Sequence, residues 1–399
     1  MNNNRVNGNE LEYVKQVLDS GFRSSKGSYF TRKFEELFSE KFGVPYSIAF
    51  VNGTATLHAA LEAFGVGPGD EVIVPPLTMS ATTFAVLQAN ATPVFADVDA
   101  ETFQISLDGI KAVMSPKTKA IMTVALYGLG PDLSSISKFA KDNGLWLLED
   151  NAECYLAHHQ GNLVGTFGDA ASYSLQSSKH LTSGEGGVLI TSNLELAEKV
   201  RKVQSLGYAG VSASKSKITK SDIQNPNYSR HVSMGWNYRM PELCSAVALA
   251  QTEEMDRLVD YRKSAGKLFE EAVVGYEHIL KPQKTPHGST NSYWTFAAAL
   301  NTDFISWDDF RRDFVESGGH PFYSAWKLTY LEPMFENLDL LGRENFISQE
   351  NKARYKKGLC PVAENLQPRL VQFKTNYWDE STAKEQAEIL RGVLERLSQ

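Results

Sequence analysis

The segment Tyr173-Ser-Leu-Gln-Ser-Ser-Lys179-His-Leu-Thr-Ser-Gly-Glu-Gly-Gly187 sets one lysine between hydroxyl residues and a glycine-rich turn. A lysine so placed can form an imine with an aldehyde cofactor while the serines and backbone amides around it hold the cofactor's phosphate. The segment therefore points to pyridoxal phosphate chemistry. Its competing reading is a solvated surface lysine, the common fate of that residue. Against this stands the density of small and hydroxyl residues around a single amine. An amine that bonds an aldehyde and later moves a proton must be neutral for part of its cycle, which desolvation and a nearby cation can arrange. His180 beside it reads as a packing residue.

Two further stretches carry chemistry. Asn52-Gly53-Thr54-Ala55-Thr56 follows an apolar run and opens a helical one. Backbone amides and a threonine hydroxyl at such a helix start form a cup for phosphate, and Asn and Thr also favour that position as plain caps. Leu145-Trp-Leu-Leu-Glu149-Asp150 ends a buried run in two acids, neither of which can lie there unpaired without cost. Asp150 is a candidate to pair with a protonated pyridine nitrogen and keep the ring an electron sink, or else to form a structural salt bridge or cap.

Short apolar runs at 47–51, 71–74, 92–97, 120–125, 145–149, 170–175 and 187–191 alternate with helix-length segments and must carry these residues. This pattern predicts an α/β fold with a doubly wound, largely parallel sheet whose ligands bind at the carboxyl ends of the strands. Residues 9–42 carry a helical period broken by a Gly/Ser-rich stretch and read as an arm. Residues 242–268 read as one long helix bridging to a smaller α+β unit, with a strand at 293–300 and helices at 308–317 and 382–397. The expected division is 1–250 and 251–399. The polar stretch 212–228 reads as a long loop.

Composition sets the class. With 399 residues, 42% of them hydrophobic, the chain can bury a large core. A net charge of −7 without a long basic run excludes a nucleic-acid footprint. Cys154, Cys244 and Cys360 lack metal-ligand or redox spacing and read as reduced thiols. No run has the length and apolarity of a membrane span, and the start Met1-Asn-Asn-Asn-Arg5 has no apolar signal core, so a cytoplasmic location is expected.

From about Asn9 to Cys360-Pro-Val-Ala363 the chain resembles the DegT/StrS-type sugar aminotransferases, pyridoxal phosphate enzymes of fold type I. The resemblance rests on Asn52-Gly-Thr-Ala55, Val72-Ile-Val-Pro75, Pro93-Val-Phe-Ala-Asp-Val-Asp99, Glu149-Asp-Asn-Ala-Glu153, Gly165-Thr-Phe-Gly-Asp-Ala170, the segment 174–179, Gly184-Glu-Gly-Gly187 and Gly235-Trp-Asn-Tyr-Arg-Met240, in order and at suitable spacing. It implies a large domain with a seven-stranded, mostly parallel sheet. It implies Lys179 as the Schiff-base lysine, Asp150 as partner of the pyridine nitrogen and Ala152 packed on the ring face. Gly53, Thr54, Ala55 and Ser174 become phosphate ligands, and Asn237 reaches the phosphate from a second subunit, which implies a homodimer with shared active sites. Two residues depart from the family pattern: Met79 stands where an aromatic ring usually stacks on the cofactor, and Glu153 where Gln or His usually lies near the phenolic oxygen.

The implied reaction is a ping-pong transamination from L-glutamate to a keto sugar, nucleotide-linked or free, such as a keto-cyclitol or an 8-keto-octulosonate, in amino-sugar or lipopolysaccharide biosynthesis. Arg23, Lys26, Arg230, Arg239, His320 and Lys327 are the candidate cations for an anionic acceptor. Some relatives replace the lysine with histidine and act as pyridoxamine-dependent dehydratases. Counting back from Gly184 and forward from Ser174 places the lysine at 179 and leaves His180 out of register. The other rival is a cofactor-binding regulatory protein without turnover.

Overall fold

The computed structural model describes residues 5, 6, 8–22, 29–216 and 218–399. Seven strands form close to the expected runs: Tyr46–Phe50 (β1), Glu71–Val74 (β2), Thr92–Phe95 (β3), Thr118–Val124 (β4), Trp146–Asp150 (β5), Ala170–Ser174 (β6) and Gly187–Thr191 (β7). They make one sheet in the order β1-β7-β6-β5-β4-β2-β3. The pairs among β2, β3, β4, β5 and β6 are parallel, whereas β7 runs antiparallel to both β1 and β6. Six strands therefore share one direction and β7 alone opposes them. Their residues are almost wholly buried, as expected of strands covered on both faces.

The helix Gly53–Ala63 packs its Ala- and Leu-rich length into this core, with Leu57, Ala59, Ala60 and Leu61 shut away from solvent. The arm comprises the helices Glu10–Asp19 and Tyr29–Phe42, and the Gly/Ser-rich break between them falls mostly outside the described residues. Phe34, Phe38 and Phe42 sit on the buried side of the second helix at helical spacing, with Phe38 and Phe42 packed on Tyr173 and Phe34 on Phe38. Glu35 on the same helix binds Arg201 through two bonds of 2.8 Å and accepts from the Ala49 amide, which locks the arm to β1.

The expected long helix is two: Glu242–Glu253 and Met255–Val273. Glu254 between them leaves the helical region at φ −97°, ψ 10°. Thr252 just before it donates its hydroxyl to the Ala248 carbonyl at 2.7 Å, a local bond that bends helices. The polar stretch at 212–228 holds a short helix, Lys220–Gln224, because Thr219 and Asp222 cap each other reciprocally.

A second sheet follows, fully antiparallel: Leu280–Pro282 (β8), Thr295–Leu300 (β9), Tyr323–Ser324 (β10) and Leu370–Lys374 (β11), in the order β8-β9-β11-β10. The expected strand at 293–300 starts two residues late because Tyr293 takes a left-handed conformation, φ 48°, with its amide bound to the Asn291 side chain at 2.7 Å. The helices Trp307–Glu316 and Glu380–Leu397 contribute Phe310, Phe314, Leu390 and Leu394 to its core beside Phe296 and Phe373. Each such buried side chain stabilises the unit by about 2 kcal/mol. Between β10 and β11 the chain returns to the first sheet. There Tyr355 donates to the Pro93 carbonyl at 2.8 Å, and the Asp97 carboxylate accepts from the Val362 and Ala363 amides at 2.9 Å each.

Candidate active site

Since six strands point one way, Gly53 just past β1, Asp150 closing β5 and Ser174 closing β6 meet at a single edge of the sheet. Strand β7 starts from that edge, so the loop bearing Lys179 spans it. The first turn of the helix Gly53–Ala63 abuts the end of β6: a Cβ on Gly53 would stand 3.1 Å from the Ser174 Cβ. The Asn52 side chain accepts from the Ala55 amide at 2.8 Å, so this residue is an N-cap while the neighbouring amides of Gly53 and Thr54 lie in the turn that helical bonding leaves open. Gly187 is required by proximity. A Cβ there would fall 2.6 Å from the Asn52 carbonyl.

Three acids lie buried along and after β5. Glu149 accepts from the amides of Gly165, Phe167 and Gly168 at 2.7–2.8 Å and is a structural anchor for the loop leading into β6. Asp150 accepts from the Thr82 hydroxyl at 2.8 Å and the Ala152 amide at 3.1 Å. Burial raises its pKa, opposed by the Thr82 hydroxyl, the Ala152 amide and the Lys179 amine. Glu153 accepts from the Tyr127 amide at 3.1 Å and from Lys179 Nζ at 3.2 Å. Burial raises its pKa too, and the Lys179 charge pulls it back.

Lys179 is fixed at both ends. Its Nζ sits 4.3 Å from the centre of the Trp294 indole and beside Glu153, with the side chain 12% exposed, which removes the reading of a solvated lysine. Its carbonyl accepts from Arg5 at 2.7 Å and from Arg262 at 3.1 Å, and the preceding carbonyls of Ser177 and Ser178 accept from the same two guanidinium groups. Arg262 also donates to the Trp294 carbonyl at 2.6 Å, and burial lowers its pKa to about 9. His180 is wholly buried, donates Nε2–H to the Ser292 carbonyl at 2.9 Å, and is held neutral chiefly by burial and secondarily by Arg262.

Beside the lysine opens a cavity of about 580 Å³ lined by Ser178, Trp294, Tyr323, Trp326, Lys327 and Lys374, among others. Of the candidate cations Lys327 belongs to it. Trp294, Trp326 and Lys374 escape the sequence reading because aromatic and charged residues in the later half of the chain carry no local motif, and Thr82 escapes it because a lone threonine in a helical run has no sign of the acid it will meet. The one available signal was Asn291-Ser-Tyr-Trp294, a polar and aromatic run directly before a strand.

The remaining candidates lie elsewhere or face outward. Met79 is 51% exposed in the turn before the helix Ala81–Gln88, on which Thr82 reaches Asp150. Asn237 and Arg239 line a separate hollow of about 280 Å³ with Thr31, Gln204 and Ser216, away from Lys179 of the same chain. His320 is exposed, lies tilted against Tyr377 with ring centres 5.7 Å apart, and is not part of the cavity lining. Arg230 is also exposed. Arg23 and Lys26 lie outside the described residues. Replacing Gly187 by Ala should push the helix start off Ser174 and cost about 2 kcal/mol, the usual penalty of overpacking. Chemical denaturation checks this, and an unchanged midpoint would mean that the turn at Asn52 yields without strain.

A model of the DegT/DnrJ/EryC1/StrS aminotransferase family matches residues 4–375. The chain is 34% identical over 337 residues to a GDP-perosamine synthase of Vibrio cholerae, covering 84% of this chain and 86% of that protein. It is 32% identical to an L-glutamine:2-deoxy-scyllo-inosose aminotransferase of Streptomyces kanamyceticus, covering 96% and 91%. Among solved structures, an aminotransferase from Psychrobacter cryohalolentis superposes with a TM-score of 0.85 at 28% identity, covering 98% of this chain and 97% of that one. With the lysine, the paired acids and the helix start gathered at one sheet edge, the chain belongs to the DegT/DnrJ/EryC1/StrS aminotransferase family.

Proposed function

We propose that the protein is a pyridoxal-phosphate-dependent aminotransferase that moves an amino group from L-glutamate to a keto sugar. The observation that carries this reading is the placement of the Lys179 amine 3.2 Å from the Glu153 carboxylate at the edge where Asp150 and the helix start converge. The donor set fits the cofactor. An amine suits its aldehyde, the Asp150 carboxylate suits a protonated ring nitrogen, and the Gly53–Thr54 turn with the Ser174 hydroxyl suits a phosphate. Gly53 lies so close to Ser174 that a larger residue would fill the cradle. When bound, pyridoxal phosphate supplies the carbonyl that takes up an amino group and a ring that accepts electrons from the donor's α-carbon.

The protein's own residues divide the remaining work. Lys179 Nζ takes the proton from the donor's α-carbon in the first half of the cycle and delivers one to the acceptor's carbon in the second. Glu153 steadies that amine through a hydrogen bond and an opposite charge. Asp150, held by Thr82 and Ala152, keeps a negative charge under the ring nitrogen. Ala152 and Met79 would flank the ring, with Met a soft contact where the family pattern has an aromatic. The proposed division into residues 1–250 and 251–399 would put Lys179 and Arg5 on one unit and Arg262 and Trp294, which also hold the lysine, on the other.

The acceptor reading favours the 580 Å³ cavity, whose two tryptophans and two lysines suit a sugar bearing an anionic group. Perosamine and inosose compounds in the names of relatives support a nucleotide-linked or free keto sugar alike, and one of those names makes L-glutamine a second candidate donor. Both relatives are named for amino-group transfer or an amino-sugar product, which disfavours the dehydratase and the silent regulator. Shared sites in a homodimer are supported by Asn237, exposed on its own subunit beside a surface where Met234 is 75% exposed. A cytoplasmic enzyme of glycan or lipopolysaccharide assembly completes the reading; among the described residues no helix is long and apolar enough to cross a membrane.

Mixing the enzyme with glutamate or glutamine and a panel of keto sugars, followed by mass spectrometry, tests the function; no aminated product with any acceptor would overturn it. Lys179→Ala should abolish turnover, falling by at least about 10⁴-fold as a base and covalent anchor is lost. Borohydride reduction with peptide mapping should find the cofactor's mass on Lys179 in the parent enzyme and nowhere in the variant. Asn237→Ala should weaken cofactor retention about tenfold, the value of a hydrogen bond to a charged group. Fluorescence titration measures this, and unchanged retention argues against shared sites.

A further inference from the structure

We propose that Trp294 is a positioning residue for Lys179: its indole face and the Glu153 carboxylate form a two-sided seat that holds the ammonium at Nζ whenever that amine is not bonded to the cofactor. The proposal rests on the reading of Lys179 as the reacting amine and goes beyond it by assigning a residue outside the recognised motifs. Lysine's charge rides on a four-carbon stem with many rotamers, so an amine that must leave and be recaptured needs something to limit its wandering. Here Nζ lies 4.3 Å from the indole centroid and 3.2 Å from Glu153 Oε1. A cation over a tryptophan face is attracted by the ring quadrupole, more strongly where water is excluded.

Both walls of the seat are themselves immobilised. The indole Nε1–H donates to the Ser178 carbonyl at 2.9 Å, and the Trp294 carbonyl accepts from Arg262 at 2.6 Å. One turn serves the two walls together. Tyr127 adopts φ 64° and Gly128 φ 105°; the Tyr127 amide donates to Glu153, while the Gly128 carbonyl accepts from the Ser292 amide two residues before Trp294. A Cβ on Gly128 would stand 2.5 Å from the Tyr293 amide nitrogen, so the approach of this turn to the tryptophan segment depends on glycine. A left-handed tyrosine is a strained backbone, and here it aims one N–H at the carboxylate. Asp150 also lies near the amine, and Arg5 and Arg262 sit on the Lys179 carbonyl.

The decisive experiment varies the ring's electron density without changing its shape. Mono-, di- and trifluorotryptophan are installed at position 294 of the full-length chain, beside Trp294→Phe and Trp294→Leu. In the cofactor-stripped protein, acetylation of Lys179 by limiting acetic anhydride is read by peptide mass spectrometry against the exposed Lys15 and Lys199 as internal standards. Relative labelling should climb with each fluorine to about threefold, climb at least as far in Trp294→Leu, and return to within about twofold of the parent in Trp294→Phe. In the loaded enzyme, the single-turnover rate with glutamate should fall in the same order while the glutamate concentration for half-maximal rate holds. Labelling that stays flat across the fluorinated series, which preserves packing even if the leucine variant does not fold, overturns the seat. Borohydride mapping to a residue other than Lys179 would instead sink the underlying reading and leave the labelling series as it is.

Discussion

Burying carboxylates at positions 149, 150 and 153, all within one strand end and the turn after it, is the constraint around which the rest of the molecule is arranged. A desolvated carboxylate without partners costs several kcal/mol, and each of these three is answered in a different way. Backbone amides surround Glu149, a hydroxyl and an amide meet Asp150, and an amide with an amine meets Glu153. Burial pushes Glu149 up to about 7, with the three amides opposing it. Only Glu153 finds a cation as a direct partner, and that pairing is what draws Lys179 inward.

The direction of the strands converts this local demand into a site. With β7 the single reversed strand, the chain leaves β6 and enters β7 on the edge where Asp150 ends, so the lysine segment has one place to go. The same edge receives the start of the helix after β1. Packing and chemistry meet at the glycines: Gly187 admits the Asn52 carbonyl and Gly53 admits Ser174, so the residues that look permissive in the chain are those on which the cradle depends.

The sheet was legible because seven short apolar runs, most of them buried on both faces, leave few other arrangements. Lys179 and Asp150 were legible through their neighbours, since hydroxyl and glycine crowding and a double acid at a strand's end are local signals. The break at Glu254 was not, because the apolar stripe continues across it and the bend arises from one threonine hydroxyl bonding backward. Nor were Trp294 and Arg262, which lie 115 and 83 positions from Lys179 and meet it only when the chain folds, or Thr82, which meets Asp150 in the same way. Ala55 illustrates a mixed case: the cap and the open turn, competing readings from residue types alone, occupy successive amides of the same helix.

The guanidinium clasp on the carbonyls of residues 177–179 has a temporal corollary. Arg5 is synthesised first, the lysine segment much later, and Arg262 and Trp294 later still, so a ribosome-bound chain carries a reactive amine before it owns the parts that restrain it. Domains tend to fold as they emerge, N-terminal portions first, yet here the sheet can close while its most reactive loop stays unfinished. The clasp and the indole wall beside the amine are thereby completed only after residue 294 has left the exit tunnel.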